Sequence, residues 1–473
     1  MQPSPIMSDQ SSAKAPALSA RTFTVLFLLI ALVGTALRVS DSGSFRRVGF
    51  DEIIYRRYVN MMDGGKTTVG VFQRDMTMVP YQITVEGSGA GAMPDLCGLF
   101  LDSQASEKTE CELPPTRFLY IYASWIWKRI QFGDTPPLST AEMQAPVVND
   151  DRSRDADHRD PALASLHRVA CLFTILLMLA GGLCAWRMAG YGAGLGVLAL
   201  MAFSPVQIHF SQHALIDGFF AYWAMMALWT TWECLQNPTS KRWLAAHGVF
   251  LALLPLAKLE NAFFVCVGLG AIILANRWLK FGTATPRFIL TSICAPLVGI
   301  ALLSALAGGP STFIAIYKML VAKAQNLQYA KLTGDGPWYR YFLDMITVSP
   351  IVVLLALGAV FKLIPARKEL TFVALFVAAS YIVMCNIPYG MNLRYTSIWE
   401  MPFRLGAVLM VGSLTAWLQH RQWLAVVVII SGICAYDLRQ YEILATNPKL
   451  PLYELVPNDL LRLTKILKSP SDL

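Results

Sequence analysis

Asp51 and Glu52 stand side by side in RRVGFDEIIYRRYVNMM, the stretch from Arg46 to Met62 that follows the first long apolar run of the chain. A carboxylate fixed at a membrane surface can act as a general base toward a hydroxyl. The plainer reading is a solvated pair offsetting Arg46, Arg47, Arg56 and Arg57. Further ionisable residues sit at the ends of apolar runs: Asp217 in ALIDGFFAYW, Lys258 and Glu260 in LPLAKLENAFF, and Arg394 in NLRYTSIWEMPF. Charge at membrane depth is costly, so each is a candidate for function. An isolated carboxylate such as Asp217 must be stabilised by something. Lys258 and Arg394 can simply snorkel to the interface. They are also what an anionic phosphate would need, Arg offering a bidentate fork and Lys a point charge. His209 and His213 read as polar lining, because no cluster in the chain has metal-ligand spacing. No phosphate-binding loop, GxGxxG or GxSxG element occurs in a strand-helix context, so nucleotide hydrolysis and serine hydrolase chemistry have no support.

Composition says what must hold these residues. The 473-residue chain is 55% hydrophobic and only 15% charged, with a mean hydropathy of +0.47. A soluble domain carries about a quarter charged residues. Separate apolar runs of roughly 15 to 22 residues fit helices across a bilayer, which needs about 20. The expected class is an all-α polytopic membrane protein. The net charge of +8 does not mark a nucleic-acid binder, since Lys and Arg fall in short clusters between apolar runs, as membrane topology requires. Met1 to Arg21 lacks the features of a cleaved signal peptide, so Thr22 to Leu37 reads as a retained signal anchor. Cys171, Cys184, Cys234, Cys266, Cys294, Cys385 and Cys434 lie in or beside apolar runs and act there as small hydrophobes. Cys97 and Cys111 fall in a polar segment and form a disulfide if it faces an oxidising compartment; two free thiols are the alternative.

Spans are expected near 22–38, 166–186, 190–210, 214–232, 243–257, 261–276, 288–307, 341–361, 370–387, 399–418 and 422–436, about eleven and at most thirteen. With residues 1–21 as a cytoplasmic tail, Arg187, Lys241/Arg242, Arg277/Lys280/Arg287, Lys362/Arg367/Lys368 and His420/Arg421 all fall inside, as the positive-inside rule demands. Residues 22–436 then form the transmembrane domain, 39–165 a large extracytoplasmic loop and 437–473 an extracytoplasmic tail. Thr116 to Phe132, TRFLYIYASWIWKRIQF, is kept outside as an interfacial helix; the alternative is a crossing helix with a compensating miscount later. A helix from about Asp51, with Ile53, Ile54, Tyr58 and Met61 or Met62 inward, would carry the acidic pair at its N-terminus, where ionised carboxylates are favoured. On this topology Asp51, Glu52, Asp217, Lys258, Glu260 and Arg394 share the outer face.

Taken in order, these stretches resemble the polyprenyl-phosphate-sugar glycosyltransferases of the C-type fold, closest to the protein O-mannosyltransferase superfamily and the lipid A aminoarabinose transferases. VGFDEIIYRRYV is similar to the first-loop Phe-Asp-Glu motif. LPPTRFLYIYASWIWKRIQFG resembles the family's Pro-Pro helix, with Leu113 where the family has His. LHRVACLFTILLMLAGGLCAWRMAGYGAGLGVLALMAFSPVQIHFSQHALID follows its next stretch, with Gln212 where an Arg is usual, and NLRYTSIWEMP its late Arg-Tyr element. The resemblance covers roughly residues 22–275 and the rest loosely. It implies that Asp51 is the catalytic base, that Glu52 positions acceptor or base, and that Asp217 lines the same site. It further implies that Lys258, Arg394, Arg168 and Tyr395 hold the lipid phosphate, with His213, Glu260 and Arg57 lining the substrate. No metal or other cofactor is expected for the chemistry. The implied partners are membrane lipids, a lipid-linked sugar donor and a protein, lipid or glycan acceptor; the implied location is the bacterial inner membrane, with the site on the outer face. A transporter of lipid-linked sugars and a non-catalytic binder remain as rival readings. The first would show an inverted repeat, which the sequence does not.

Overall fold

The computed structural model describes residues 19–40, 50–62, 117–133, 160–307, 309–311, 313–314, 317, 337–364, 366–387 and 393–446. Cys97, Cys111, Leu113 and the Pro114-Pro115 pair lie outside them, as does the side chain of Arg57. Among the described residues every regular element is helical.

α1 (Ala20–Val39) begins at Ser19, whose hydroxyl accepts from the Thr22 N–H, the satisfaction of an open helix N-terminus for which serine is suited. α2 (Phe50–Met62) and α3 (Phe118–Phe132) lie in the expected external loop. α4 (Pro161–Ala189) is capped by Asp160, which accepts from the Leu163 N–H at 3.0 Å, and carries Pro at its first position. α5 (Tyr191–Ala202) and α6 (Pro205–Ser211) meet at a 58° bend. Pro205 explains it: proline lacks an N–H and disfavours helical conformation in the residue before it. The bundle continues through α7 (Ile216–Gln236), α8 (Lys241–Ala257), α9 (Leu259–Leu279) and α10 (Pro286–Leu306). It closes with α11 (Arg340–Val348), α12 (Pro350–Leu363), α13 (Lys368–Cys385), a 3-10 turn (Leu393–Trp399), α14 (Glu400–Thr415) and α15 (Gln422–Thr446).

Each expected span falls on one helix or a broken pair, but the count of eleven is not reached by length and composition. Six described helical stretches are long and apolar enough to cross a membrane, or seven with the α5–α6 pair taken as one span; one of the six is the 52-residue run Leu393–Leu444, which joins the 3-10 turn, α14 and α15 and covers two of the expected spans. The shortfall has physical causes. α7 buries Asp217, Thr230, Thr231 and Glu233, α8 is 17 residues long, and α11 and α12 are split at Ser349-Pro350. The boundary expected at 436 lies inside α15, which runs on to Thr446 and buries Asp437. α3, at 15 residues, reaches about 22 Å, short of the roughly 30 Å hydrocarbon layer. It packs on α2 and α4, with the Tyr120 hydroxyl donating to the Leu166 carbonyl at 3.0 Å and Lys128 Nζ to Asn60 at 3.1 Å. On α10, Leu290, Ile293, Leu297 and Val298 point outward, an apolar exterior that suits lipid better than water.

α7 comes unusually close to α4. A Cβ placed on Gly218 would lie 2.4 Å from Thr174 Cγ2, and Thr174 is held by its own bond to the Cys171 carbonyl at 2.7 Å. The glycine next to Asp217 therefore sets how deeply that carboxylate sits.

Candidate active site

α2 delivers the first carboxylates. Asp51 and Glu52 occupy its first turn, where the open N–H groups favour negative charge. The helix is pinned at three points. Arg56 pairs with Asp160, the residue that caps α4. Tyr55 meets Tyr120 of α3 edge-on, with ring centroids 5.5 Å apart. The buried Glu52 accepts the Ala214 N–H in the turn that leads into α7, with His213 Nδ1 3.7 Å from the same oxygen. A tie to Ala214 brings the tip of α2 to the start of α7, where Asp217 lies in the first turn.

The cations arrive from two interruptions of the helical pattern. Lys258 is extended between α8 and α9, with φ −162° and ψ 101°, and its Nζ donates to Asp217 Oδ1 at 2.8 Å. Arg394, in the 3-10 turn, donates from Nε to Asp217 Oδ2 at 2.8 Å and from Nη2 to Asp51 Oδ2 at 2.6 Å. One guanidinium thus joins two carboxylates that are 166 positions apart in sequence (217 − 51). The Lys258 ammonium also stands 4.3 Å from the centre of the Tyr395 ring, a cation–π contact. Lys258 and Asp217 have side chains 1% exposed, whereas Asp51 is 25% exposed. The buried end is stabilised by opposite charge, and the open end is Asp51.

Asp51, Asp217, Lys258, Arg394 and Tyr395 are therefore linked by direct contacts, with Glu52 and His213 beside them at the start of α2 and the turn before α7. Glu260 joins them through a residue that the sequence reading did not single out: Arg117, just before α3, pairs with it at 3.3 Å. The Arg117 guanidinium lies 5.5 Å from the centre of the Tyr55 ring. Burial holds the Tyr55 phenol well above its ordinary pKa, with the Asp51 charge adding to the effect, so it is a neutral donor at physiological pH. Two signals were available: Tyr55 is one turn after Asp51, and Arg117 is the one cation between Pro115 and the aromatic run of α3. Arg168 has a different neighbour, its guanidinium 5.4 Å from the Phe132 ring centre. Gln212 donates to the Ser40 carbonyl at 3.3 Å and accepts from the Tyr441 hydroxyl. His209 and His213 face each other with ring centroids 4.3 Å apart. Among the described residues, no group of three or more His, Cys, Asp or Glu is arranged to hold a metal ion.

A second buried charge cluster lies at the α5–α6 bend. Arg38 donates from Nη1 to the Gly34 and Ala202 carbonyls and from Nη2 to the Met201 carbonyl and Gln207 Oε1. Arg404 donates from Nε to the Leu200 carbonyl at 3.0 Å and pairs with Glu400 at 2.7 Å. Glu400 also accepts from Ser204 and Gln207. The Leu200, Met201 and Ala202 carbonyls at the end of α5 thus accept from side chains of α1 and α14, Met201 also accepting the Ser204 N–H, as buried backbone groups require.

A scan against protein-family models finds no match, and neither does a comparison with curated proteins. Solved structures do match. The Archaeoglobus fulgidus oligosaccharyltransferase in its apo form aligns with a TM-score of 0.57 at 12% identity, over 90% of this chain and 56% of that one. The same archaeal enzyme in complex with an inhibitory peptide and a dolichol-phosphate gives 0.56 at 11% identity, over 90% of this chain and 56% of that one. ArnT from Cupriavidus metallidurans bound to undecaprenyl phosphate gives 0.53 at 15% identity, over 94% of this chain and 68% of that one. The chain spans just over half the length of the archaeal enzymes it matches. At these identities the likeness shows the fold: a polytopic helical membrane protein with the C-type glycosyltransferase architecture.

Proposed function

We propose that the protein is an inverting glycosyltransferase that moves a sugar from a polyprenyl-phosphate carrier to an acceptor hydroxyl at the outer face of the bacterial inner membrane. The observation that carries this reading is the bridge from Arg394 to both Asp51 and Asp217, with Lys258 on the far side of Asp217. A permanent cation paired with two carboxylates and open to the site through Asp51 is a place where a carrier phosphate can exchange for a carboxylate. Phosphate taking the Nη2 of Arg394 releases Asp51 to act as a base. Asp51 then accepts the proton of the acceptor hydroxyl as its oxygen attacks the anomeric carbon. The bond from that carbon to the phosphate oxygen breaks, its electron pair stays on the phosphate, and the configuration inverts. Lys258 and Arg394 stabilise the charge that develops there, the kind of preorganised electrostatics that is often the largest catalytic contribution. Tyr395 fixes the Lys258 ammonium, and Glu52 sets the position of Asp51. Arg168, beside Phe132, would act on the lipid part of the carrier rather than on its phosphate. The proposed chemistry uses no cofactor beyond the lipid-linked donor. Structural neighbours captured with dolichol-phosphate and with undecaprenyl phosphate support the choice of donor. The test is transfer from a labelled lipid-linked sugar in membranes: Asp51→Asn protein that is inserted normally and still transfers sugar would overturn the assignment.

A further inference from the structure

We propose that Arg117, Glu260 and Tyr55 form the subsite for the glycosyl group of the donor and hold it through adjacent hydroxyls. The inference rests on the transferase reading above and adds the residues that bind the sugar.

Position is the first argument. Tyr55 follows Asp51 by one helical turn and so shares its face of α2. Glu260 follows Lys258 by two residues. Arg117 joins the two, its guanidinium over the Tyr55 ring and 3.3 Å from the Glu260 carboxylate. The trio therefore lies beside both the base and the phosphate-binding cations, which is where a sugar linked to that phosphate has to sit.

Unmet hydrogen bonding is the second. Tyr55 Oη, Arg117 Nε and Glu260 Oε2 are shielded from solvent and have no hydrogen-bond partner among the described residues, and the Tyr55 side chain is almost fully buried. Buried polar atoms in folded proteins are nearly always satisfied, so each such atom calls for a partner. Here a donor, an acceptor and a hydroxyl that can play either part stand together. Vicinal hydroxyls complement that set: one donates to Glu260, its neighbour accepts from Arg117, and Tyr55 takes either role.

Charge is the third. Arg117 and Glu260 cancel each other, so neutral hydroxyls enter without disturbing the balance. The Arg117–Glu260 pair is also the accessible one, its side chains 25% and 26% exposed against 1% for Lys258 and Asp217.

The experiment compares two carriers on the purified full chain: bare polyprenyl phosphate and the same lipid bearing a neutral hexose. Wild-type protein should bind the hexosyl carrier more tightly than the bare one. Glu260→Gln and Arg117→Lys should each weaken the hexosyl carrier about tenfold, the loss of one such hydrogen bond, and leave the bare carrier within about twofold. Variants that bind the hexosyl carrier as wild type does, or that lose both carriers equally, overturn the subsite and leave an ordinary surface ion pair. Wild-type protein that binds no carrier at all overturns the transferase reading, and the subsite with it.

Discussion

Two of the buried charge clusters in this protein hold their cations differently. At the α5–α6 bend, Arg38 and Arg404 bind backbone carbonyls, three and two of them respectively. A carbonyl of a packed helix cannot leave, so those arginines have one arrangement. At the mouth of α2, Arg394 and Lys258 bind the side-chain carboxylates of Asp51 and Asp217. Side-chain carboxylates can be exchanged for another anion. Burial alone does not separate the clusters, since Lys258 and Asp217 are as enclosed as Arg404. The backbone carbonyls that Arg38 and Arg404 hold beside their side-chain partners do, and they mark that cluster as a structural clamp.

That contrast can be broken by mutation. Asp51→Asn should lower transfer by about 10²- to 10⁴-fold, the usual worth of a general base, with no loss of folded protein; sugar transfer and size-exclusion profile together read this out. Arg404→Met should do the reverse. It strands the Leu200 carbonyl and leaves Glu400 without its cation, costing about 3–5 kcal/mol of stability. Thermal unfolding in detergent should move while transfer per folded molecule stays at the wild-type level. A loss of specific activity without destabilisation would make the clamp part of the site. Gly218→Ala should cost about 1–3 kcal/mol by overpacking against Thr174. Because it shifts Asp217, it should also lower carrier affinity, which a binding titration measures. Arg439→Ala, at a pair 69% and 53% exposed, should change stability by no more than about 0.5 kcal/mol.

Much of the site was legible in the sequence because membrane depth makes charge conspicuous. Asp217, Lys258 and Arg394 stand out in apolar surroundings, and the order of positive loops put them on one face. Glu52 was seen, but its bond to Ala214 depends on how α2 folds back, which no local pattern encodes. The Arg117–Glu260 pair was missed for the same reason: its members are 143 residues apart, and each alone looks like an ordinary charge at a helix start. Arg404 and Glu400 went unremarked because an Arg four residues after a Glu also describes any helix surface. The expected number of spans exceeded the number that length and apolarity support. Internal helices such as α7 are sheltered by their neighbours and tolerate polar residues that a lipid-facing helix cannot.

The clamp at the bend also has a history in time. Arg404 is made 204 residues after the carbonyl it will hold, a delay of roughly 10–40 s at ordinary rates of synthesis. Throughout that interval the end of α5 is inside or beside the membrane with its Leu200 carbonyl lacking its final partner. Gln207 and Arg38 are already available, but Glu400 and Arg404 are not. The middle of the chain is therefore finished by its last third, and a ribosome stalled before residue 404 would leave a bundle whose central turn has yet to set.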